Sequence, residues 1–405
     1  MKRKILHLIT RYRDGGAEVT TRQTLDALHE SDLQCDLRLG YGGDSDPDCV
    51  AELPEYVETV EFSNIRHYNP VTAMIAVFQV AVYLRRERIE LLHTHSTEAG
   101  VIGRLAARIA GTPTVIHEIH GHPITTDRSR SLNIFIYLME RVCARFTTRF
   151  VVKSERIKAQ FLERGIGTPE QYEVIYHGVP IEEYKTSRNG KTDTTESGGD
   201  GDAVVETERP GSVRTTAQNE RTDRHEPPVK LLFVGRLAEG KGLFDLLEAI
   251  ANLDQKFNIR LWIVGDGALR AELEQTVERT EIDEIVDFEG YRDDVPALLV
   301  AADALVLPSY REGTPRVVTE ALAAGLPVVA TRIAGIPEQV SKGETGLLVE
   351  PGDVLELTEK LRTLITSPAM RREMSDTAPE TVEKFSLSSA NEQFRRLYAE
   401  LLCQN

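Results

Sequence analysis

Short apolar runs alternate along the chain with longer stretches in which apolar positions recur every three or four residues. The short runs read as strands and the longer ones as amphipathic helices. In the first part, strands are predicted over 4–10, 91–95, 114–120 and 150–153, with helices over 18–28 and 99–110. From Val229 the pattern restarts: a strand over 230–234, a helix, a strand over 259–264, another helix, a strand over 304–307, a helix, and a strand over 327–331. Such alternation builds a parallel sheet covered by helices. The expected fold is therefore α/β, with two doubly wound, Rossmann-like domains whose strand ends face each other across a cleft. A last helical periodicity over 387–402 has no assigned packing partner and could lie anywhere on the surface.

Between the two patterns, residues 186–228 are Thr, Ser, Gly, Asp, Glu, Arg and Asn with almost no apolar content. Such a segment cannot offset its ordering entropy by burial, so a disordered insertion is expected there. The domain reading is 1–185 for the first Rossmann-like half, 186–228 for the insertion, 229–385 for the second Rossmann-like half and 386–405 for a terminal helix. A length of 405 residues agrees with two cores. The net charge of −16 argues against a nucleic-acid partner and fits a soluble protein. Cys35, Cys49, Cys143 and Cys403 lack metal or disulfide spacing and read as reduced thiols. The basic start before Ile5 resembles a leader, but Arg11 and Arg13 interrupt the apolar run, and no later run is long enough to span a bilayer.

The densest chemistry lies in 307–325, a strand, a loop carrying Glu312, and a helix carrying Glu320. Thr314 suits the N-cap, Pro315 the first helical position and Gly325 the stop, so the helix N-terminus makes a candidate anion site flanked by Gly313 and Arg316. Paired carboxylates also fit a glycosidase, though such pairs usually converge from separate elements; two surface carboxylates are the bland alternative. In the second domain's first loop, Gly235, Arg236, Gly240, Lys241 and Gly242 resemble a nucleoside triphosphatase loop. That motif needs Ser or Thr after its lysine, and Gly242 stands there, which makes a triphosphatase a poor second choice. Arg236 and Lys241 would suit a diphosphate. Gly15 and Gly16, between the first strand and helix, fit either a phosphate approach or a plain tight turn. His93 and His95 share one strand face, and His117, His120 and His122 end the next strand; a polar lining of the cleft is favoured over a metal site. Residues 128–149 mix arginines with Ile134, Phe135 and Leu138, which fits a membrane-facing helix less well than a helix covering the sheet.

Taken together, these residues resemble the family 4 retaining glycosyltransferases of the GT-B fold, of the polysaccharide-assembly type. The resemblance rests on the Glu312 to Glu320 spacing, Gly235-Arg236 with Lys241-Gly242, Gly265-Asp266-Gly267, Gly335-Ile336-Pro337-Glu338, His93-Thr94-His95-Ser96 and His117 to Gly121. It implies that Glu320 holds the ribose and Glu312 the donor sugar. Arg236 and Lys241 would neutralise the leaving diphosphate, with Gly15 and Gly16 closing over it. Gly313, Thr314, Pro315 and Arg316 would line the donor site, Tyr291 and Arg292 the base pocket. His120 would be the cleft histidine near the reacting carbon, with His95 and His117 as alternatives. Relatives often carry Lys where this chain has Glu98, so the donor side matches better than the acceptor side.

The implied activity is transfer of a sugar, a hexose in the leading reading, from a nucleoside diphosphate to an acceptor hydroxyl, with retention and without a cofactor or metal. The expected partners are the nucleotide-sugar donor and a glycan or lipid-linked acceptor, in the assembly of cell-surface polysaccharide, glycolipid or glycoprotein glycan. The expected location is cytoplasmic, with peripheral contact at the inner face of the membrane as a further option. A nucleotide-sugar epimerase or phosphorylase of the same layout, or a non-catalytic sugar-nucleotide-binding protein, is the alternative.

Overall fold

A parallel sheet buried on both faces needs nearly continuous apolar strands, and this chain supplies them twice. The structure, a computed structural model, describes residues 2–13, 15–65, 70–121, 129–185 and 227–403. Strands β1 (Arg3–Ile9), β2 (Cys35–Gly42), β3 (Val57–Phe62), β4 (Leu91–His95), β5 (Thr114–Ile119), β6 (Arg149–Val152) and β7 (Tyr172–Val174) form one sheet, ordered β3-β2-β1-β4-β5-β6-β7. A second sheet contains β8 (Val229–Val234), β9 (Ile259–Val264), β10 (Val286–Gly290), β11 (Ala304–Leu307), β12 (Val328–Thr331) and β13 (Gly346–Val349), ordered β10-β9-β8-β11-β12-β13. The pairings in both sheets are parallel. These are the two doubly wound domains that the apolar pattern predicts.

In each sheet the strand order reverses once, between β1 and β4 and between β8 and β11. Loops diverge at such a point and leave a crevice at the carboxyl ends of the strands, where ligands of open α/β sheets bind. The loops that follow β8 and β11 are those that carry Lys241 and Glu312.

The terminal helix Leu387–Cys403 does not lie on an arbitrary surface, as its periodicity alone allowed. Its Ala390, Phe394, Leu397, Tyr398 and Leu401 join Ile5, Leu25 and Leu37 in the core of the first domain. The chain leaves the first domain early as well. Val179, Ile181 and Tyr184 pack into the second core, and Val179 bridges to Ser386 where the chain returns. The polar insertion lies outside the described residues from 186 to 226, as does His122. No helix among the described residues is long and apolar enough to cross a membrane.

Candidate active site

The two loops at the second switch point are stitched together before any side chain acts. The Gly240 carbonyl accepts from the amides of Tyr310 (2.8 Å) and Arg311 (3.3 Å). This brings Lys241 Nζ to 2.8 Å from Glu312 Oε1, and Ser309 Oγ donates to the same oxygen at 2.8 Å. Ser309 is itself buried, its carbonyl accepting from Thr331 Oγ1 at 2.6 Å, so the carboxylate is held by a rigid base. Gly242 has φ +68°, and a Cβ there would lie 2.0 Å from the Pro308 carbonyl oxygen. A serine or threonine cannot occupy that place without moving backbone, which removes the triphosphatase reading on steric grounds. Arg236 is exposed and makes no ion pair among the described residues, so its fork is available to an anion.

The helix Arg316–Ala323 starts one residue later than expected. Pro315 is its N-cap and no side chain caps its amides. Thr314, predicted to cap, instead donates its hydroxyl to the Lys153 carbonyl at 2.5 Å, because its loop docks against the first domain. Gly313 permits that docking, since a Cβ on it would meet the His120 carbonyl oxygen at 2.4 Å. The Arg316 guanidinium donates to the Gly178 carbonyl (2.8 Å) and to Gln23 Oε1 (3.3 Å), with its Nε 3.7 Å from Glu320 Oε1. Burial raises the Glu320 carboxyl above its ordinary value, with Arg316 and the Tyr184 hydroxyl opposing the rise. Glu320 is thus a tethered, largely buried carboxyl group. A further tie crosses the domains: Glu338 accepts the amides of Glu155 and Arg156, both at 3.0 Å, and the Tyr176 hydroxyl at 2.9 Å. These amides open the helix Glu155–Glu163, where a carboxylate is favoured.

The remaining donor-side candidates spread out. Tyr291 is 73% exposed. Arg292 is committed to Glu289 (2.7 Å) and Asp294 (2.6 Å), which raise its already high pKa and leave little of its fork for a base. Gly15 caps and Gly16 opens the helix Gly16–His29, and a Cβ on Gly16 would meet nothing within 4 Å.

The histidines correct the expectation most. Strand register places His7 beside His93 and His95 beside Glu118, so these four point to one face of the first sheet, and His7, His93, His95 and Glu118 are each fully buried. They lie inside the domain, where register and a packed helix enclose them, and do not line the cleft. His117 points to the opposite face, bonded to Thr94 Oγ1 at 2.9 Å. Among the described histidines of this group, only His120 reaches the cleft, with 13% of its side chain exposed. Its Nε2 lies 3.2 Å from His95 Nδ1, its Nδ1 3.7 Å from Glu118 Oε1, and burial depresses its pKa to about 4. Burial raises the Glu118 carboxyl, but the Lys153 ammonium at 2.6 Å together with His120, His93 and His95 outweighs it and holds the group well below the usual carboxylate range.

Sequence reasoning missed Lys153, Glu118, Tyr398 and Ser309 as members of these networks. For Glu118 a signal existed: it alternates with His117 as His93 does with Thr94. Two triplets, His7-His93-His95 and His95-Glu118-His120, have ligand atoms within 4.8 Å of one another. In both, ring nitrogens already bond to each other or to Tyr398, and Lys153 places a positive charge beside Glu118. The donor set fits an internal hydrogen-bond network better than a cation.

The chain matches two family models, "Glycosyltransferase Family 4" over residues 14–183 and "Glycosyl transferases group 1" over residues 215–381. It is 26% identical over 343 residues to the UDP-Gal:alpha-D-GlcNAc-diphosphoundecaprenol alpha-1,3-galactosyltransferase of Escherichia coli, covering 84% of this chain and 82% of that protein. The capsular polysaccharide biosynthesis glycosyltransferase CapM of Staphylococcus aureus is 23% identical, over 85% and 88%. The crystal structure of Anabaena Alr3699/HepE in complex with UDP superposes with a TM-score of 0.76 at 22% identity, over 98% of this chain and all of that one, and carries the same GT-B fold.

Proposed function

This chain belongs to the family 4 glycosyltransferases, and we propose that it moves a hexose from a uridine diphosphate donor to a hydroxyl of a glycan or lipid-linked acceptor, with retention and without a metal ion. Transfer from a nucleotide sugar is the activity of the chain. The finer reading is carried by one observation: an ammonium paired to Glu312, Lys241, shares a loop with the exposed Arg236, and the facing loop leads into an uncapped helix N-terminus. Three sources of positive potential then meet the departing diphosphate, a task otherwise given to a divalent cation. Glu312, fixed by Ser309, accepts a donor-sugar hydroxyl; Glu320, fixed by Arg316, accepts the ribose hydroxyls. The E. coli relative's name includes a uridine donor, and the HepE structure holds UDP, which supports the base. No observation favours an epimerase or a non-catalytic scaffold.

A panel of nucleoside diphosphate sugars in thermal shift tests the donor. A ligand at about 100 times its Kd adds roughly 2.7 kcal/mol to native stability, and the reading expects UDP sugars to give the largest rise. Product anomeric configuration by NMR tests retention, and turnover after chelation tests metal independence. Loss of turnover that magnesium restores would end the metal-free mechanism.

The acceptor side is proposed to sit at a membrane surface. The helix Arg130–Ala144 covers the sheet, as expected, with Ala144 packed among Ile119, Phe150 and Val152, but exposes Ile134, Phe135 and Leu138. The helix Pro70–Glu87 exposes Met74, Phe78 and Val82. Exposed Arg85 and Arg86 lie in the last turn of the second helix and exposed Arg141 in the last turn of the first. An apolar patch with a basic rim suits an anionic lipid headgroup layer. Flotation with anionic vesicles should carry the protein, and Phe78→Ser with Phe135→Ser should release it; a protein that stays behind with anionic and neutral vesicles alike removes this contact.

A further inference from the structure

The buried groups of the first domain form one connected circuit. Glu118 Oε2 lies 3.1 Å from His93 Nε2 and 3.5 Å from His95 Nδ1. His93 Nδ1 is 2.6 Å from the Tyr398 hydroxyl, which is 3.0 Å from His7 Nε2. His7 Nδ1 is 3.0 Å from His95 Nε2, and His95 Nδ1 is 3.2 Å from His120 Nε2. Tyr398 comes from the terminal helix, 305 residues after His93, and Phe394 of the same helix lies with its ring centroid 5.1 Å from Lys153 Nζ.

Each link constrains the next, because a neutral imidazole has one donor and one acceptor and a tyrosine hydroxyl has one proton. Glu118, ion-paired to Lys153, only accepts, so the ring nitrogen nearest to it carries hydrogen. The 3.1 Å contact selects His93 over His95, and His93 Nδ1 must then accept from the Tyr398 hydroxyl. Tyr398 in turn accepts from His7 Nε2–H, His7 Nδ1 accepts from His95 Nε2–H, and His95 Nδ1 accepts from His120 Nε2–H. We infer that this circuit is a positioning network in which Glu118 and Tyr398 fix His120 as the neutral Nε2–H tautomer. The inference rests on the reading that His120 faces the transferred sugar. A neutral ring suits that position, since the anomeric carbon becomes electron-poor during transfer and an imidazolium beside it would oppose the reaction. Burial of His7 and His95, which pushes both well below the ordinary histidine value, agrees with uncharged links.

Long-range proton–nitrogen NMR of the 15N-histidine-labelled full chain reads the tautomers directly, with His120→Gln identifying its own signals. The wild type should show His120 protonated at Nε2 and bare at Nδ1. In Tyr398→Phe, which keeps the packing and removes the link, His120 should become a mixture. Its kcat should fall about tenfold, the size of one lost charge-coupled hydrogen bond, with the donor KM unchanged. Where Tyr398→Phe does not fold, His93→Leu cuts the circuit at its anchor and carries the same two expectations. A wild-type His120 with hydrogen on Nδ1, or an unchanged tautomer and kcat in a folded variant, overturns the network. A His120→Ala enzyme with full kcat instead overturns the placement of His120 at the sugar, whatever the tautomers show.

Discussion

The two domains hold their charges in opposite ways. In the second, Lys241 and Glu312 meet at loop ends, 26% and 10% exposed, close enough to solvent to exchange partners when an anion arrives. In the first, Lys153 and Glu118 meet inside the sheet with no exposure and with rings of histidine around them. The first arrangement can act on a ligand because its desolvation is incomplete. The second cannot leave its partner without a large cost, since each charge would be stranded in the interior. A mobile pair serves binding, and a fixed pair serves as a reference point for hydrogen-bond polarity.

The largest expected effect breaks the fixed pair. Lys153→Met should destabilise the protein by about 3–5 kcal/mol, the usual cost of removing one partner of a buried ion pair, and denaturant unfolding measures it. A loss below about 1 kcal/mol would show that Glu118 takes up a proton or water at little cost. Breaking the mobile pair should act on turnover: Lys241→Ala should lower kcat by about 10²–10³ while leaving the unfolding midpoint nearly unchanged. If midpoint and rate fall together, the distinction between the two pairs is lost.

Acid should separate the domains next. None of the ten histidines falls within 227–403, whereas His7, His93, His95, His117, His120 and His177 are all held below the ordinary value by burial. A depressed histidine is neutral in the folded state while its unfolded form binds a proton below 6.5. The unfolded state then holds more protons, so stability is full above pH 6.5 and falls as pH drops, for His120 down to about 4. Each such group contributes about 1.4 kcal/mol per pH unit in that window. Glu118, held low, adds a loss only at still lower pH, below its ordinary value of 4.5. Hydrogen exchange between pH 7 and 5 should therefore show protection lost in the first domain before the second; simultaneous loss would contradict the assignment. The smallest effect is expected at Arg292, already committed to Glu289 and Asp294: Arg292→Ala should change donor KM by no more than about threefold, within the ordinary surface range.

Much of this could be read in the sequence where one element supplies the chemistry. Glu312 and Glu320 lie on one loop and helix, Arg236 and Lys241 on one loop, and local spacing limits where such groups point. Thr314 shows the limit of that reasoning. Its position suits a cap, yet its hydroxyl crosses to Lys153, because a contact between domains outweighs a local one. The histidines show it again: alternation places His93 and His95 on a common face, but nothing local tells a solvent-lined face from a buried one.

The sequence by itself determined two parallel sheets, the glycine-bounded loops at their strand ends and the ionic residues on those loops, because strand periodicity and turn chemistry act over a few residues. Only the tertiary structure decided that Val179 to Tyr184 belong to the second core and that the Leu387–Cys403 helix returns to the first. It also decided that Tyr398 joins a histidine circuit whose members are separated by up to 391 residues. Those outcomes depend on which buried surfaces complement each other, a property of the whole packed chain that no short window contains.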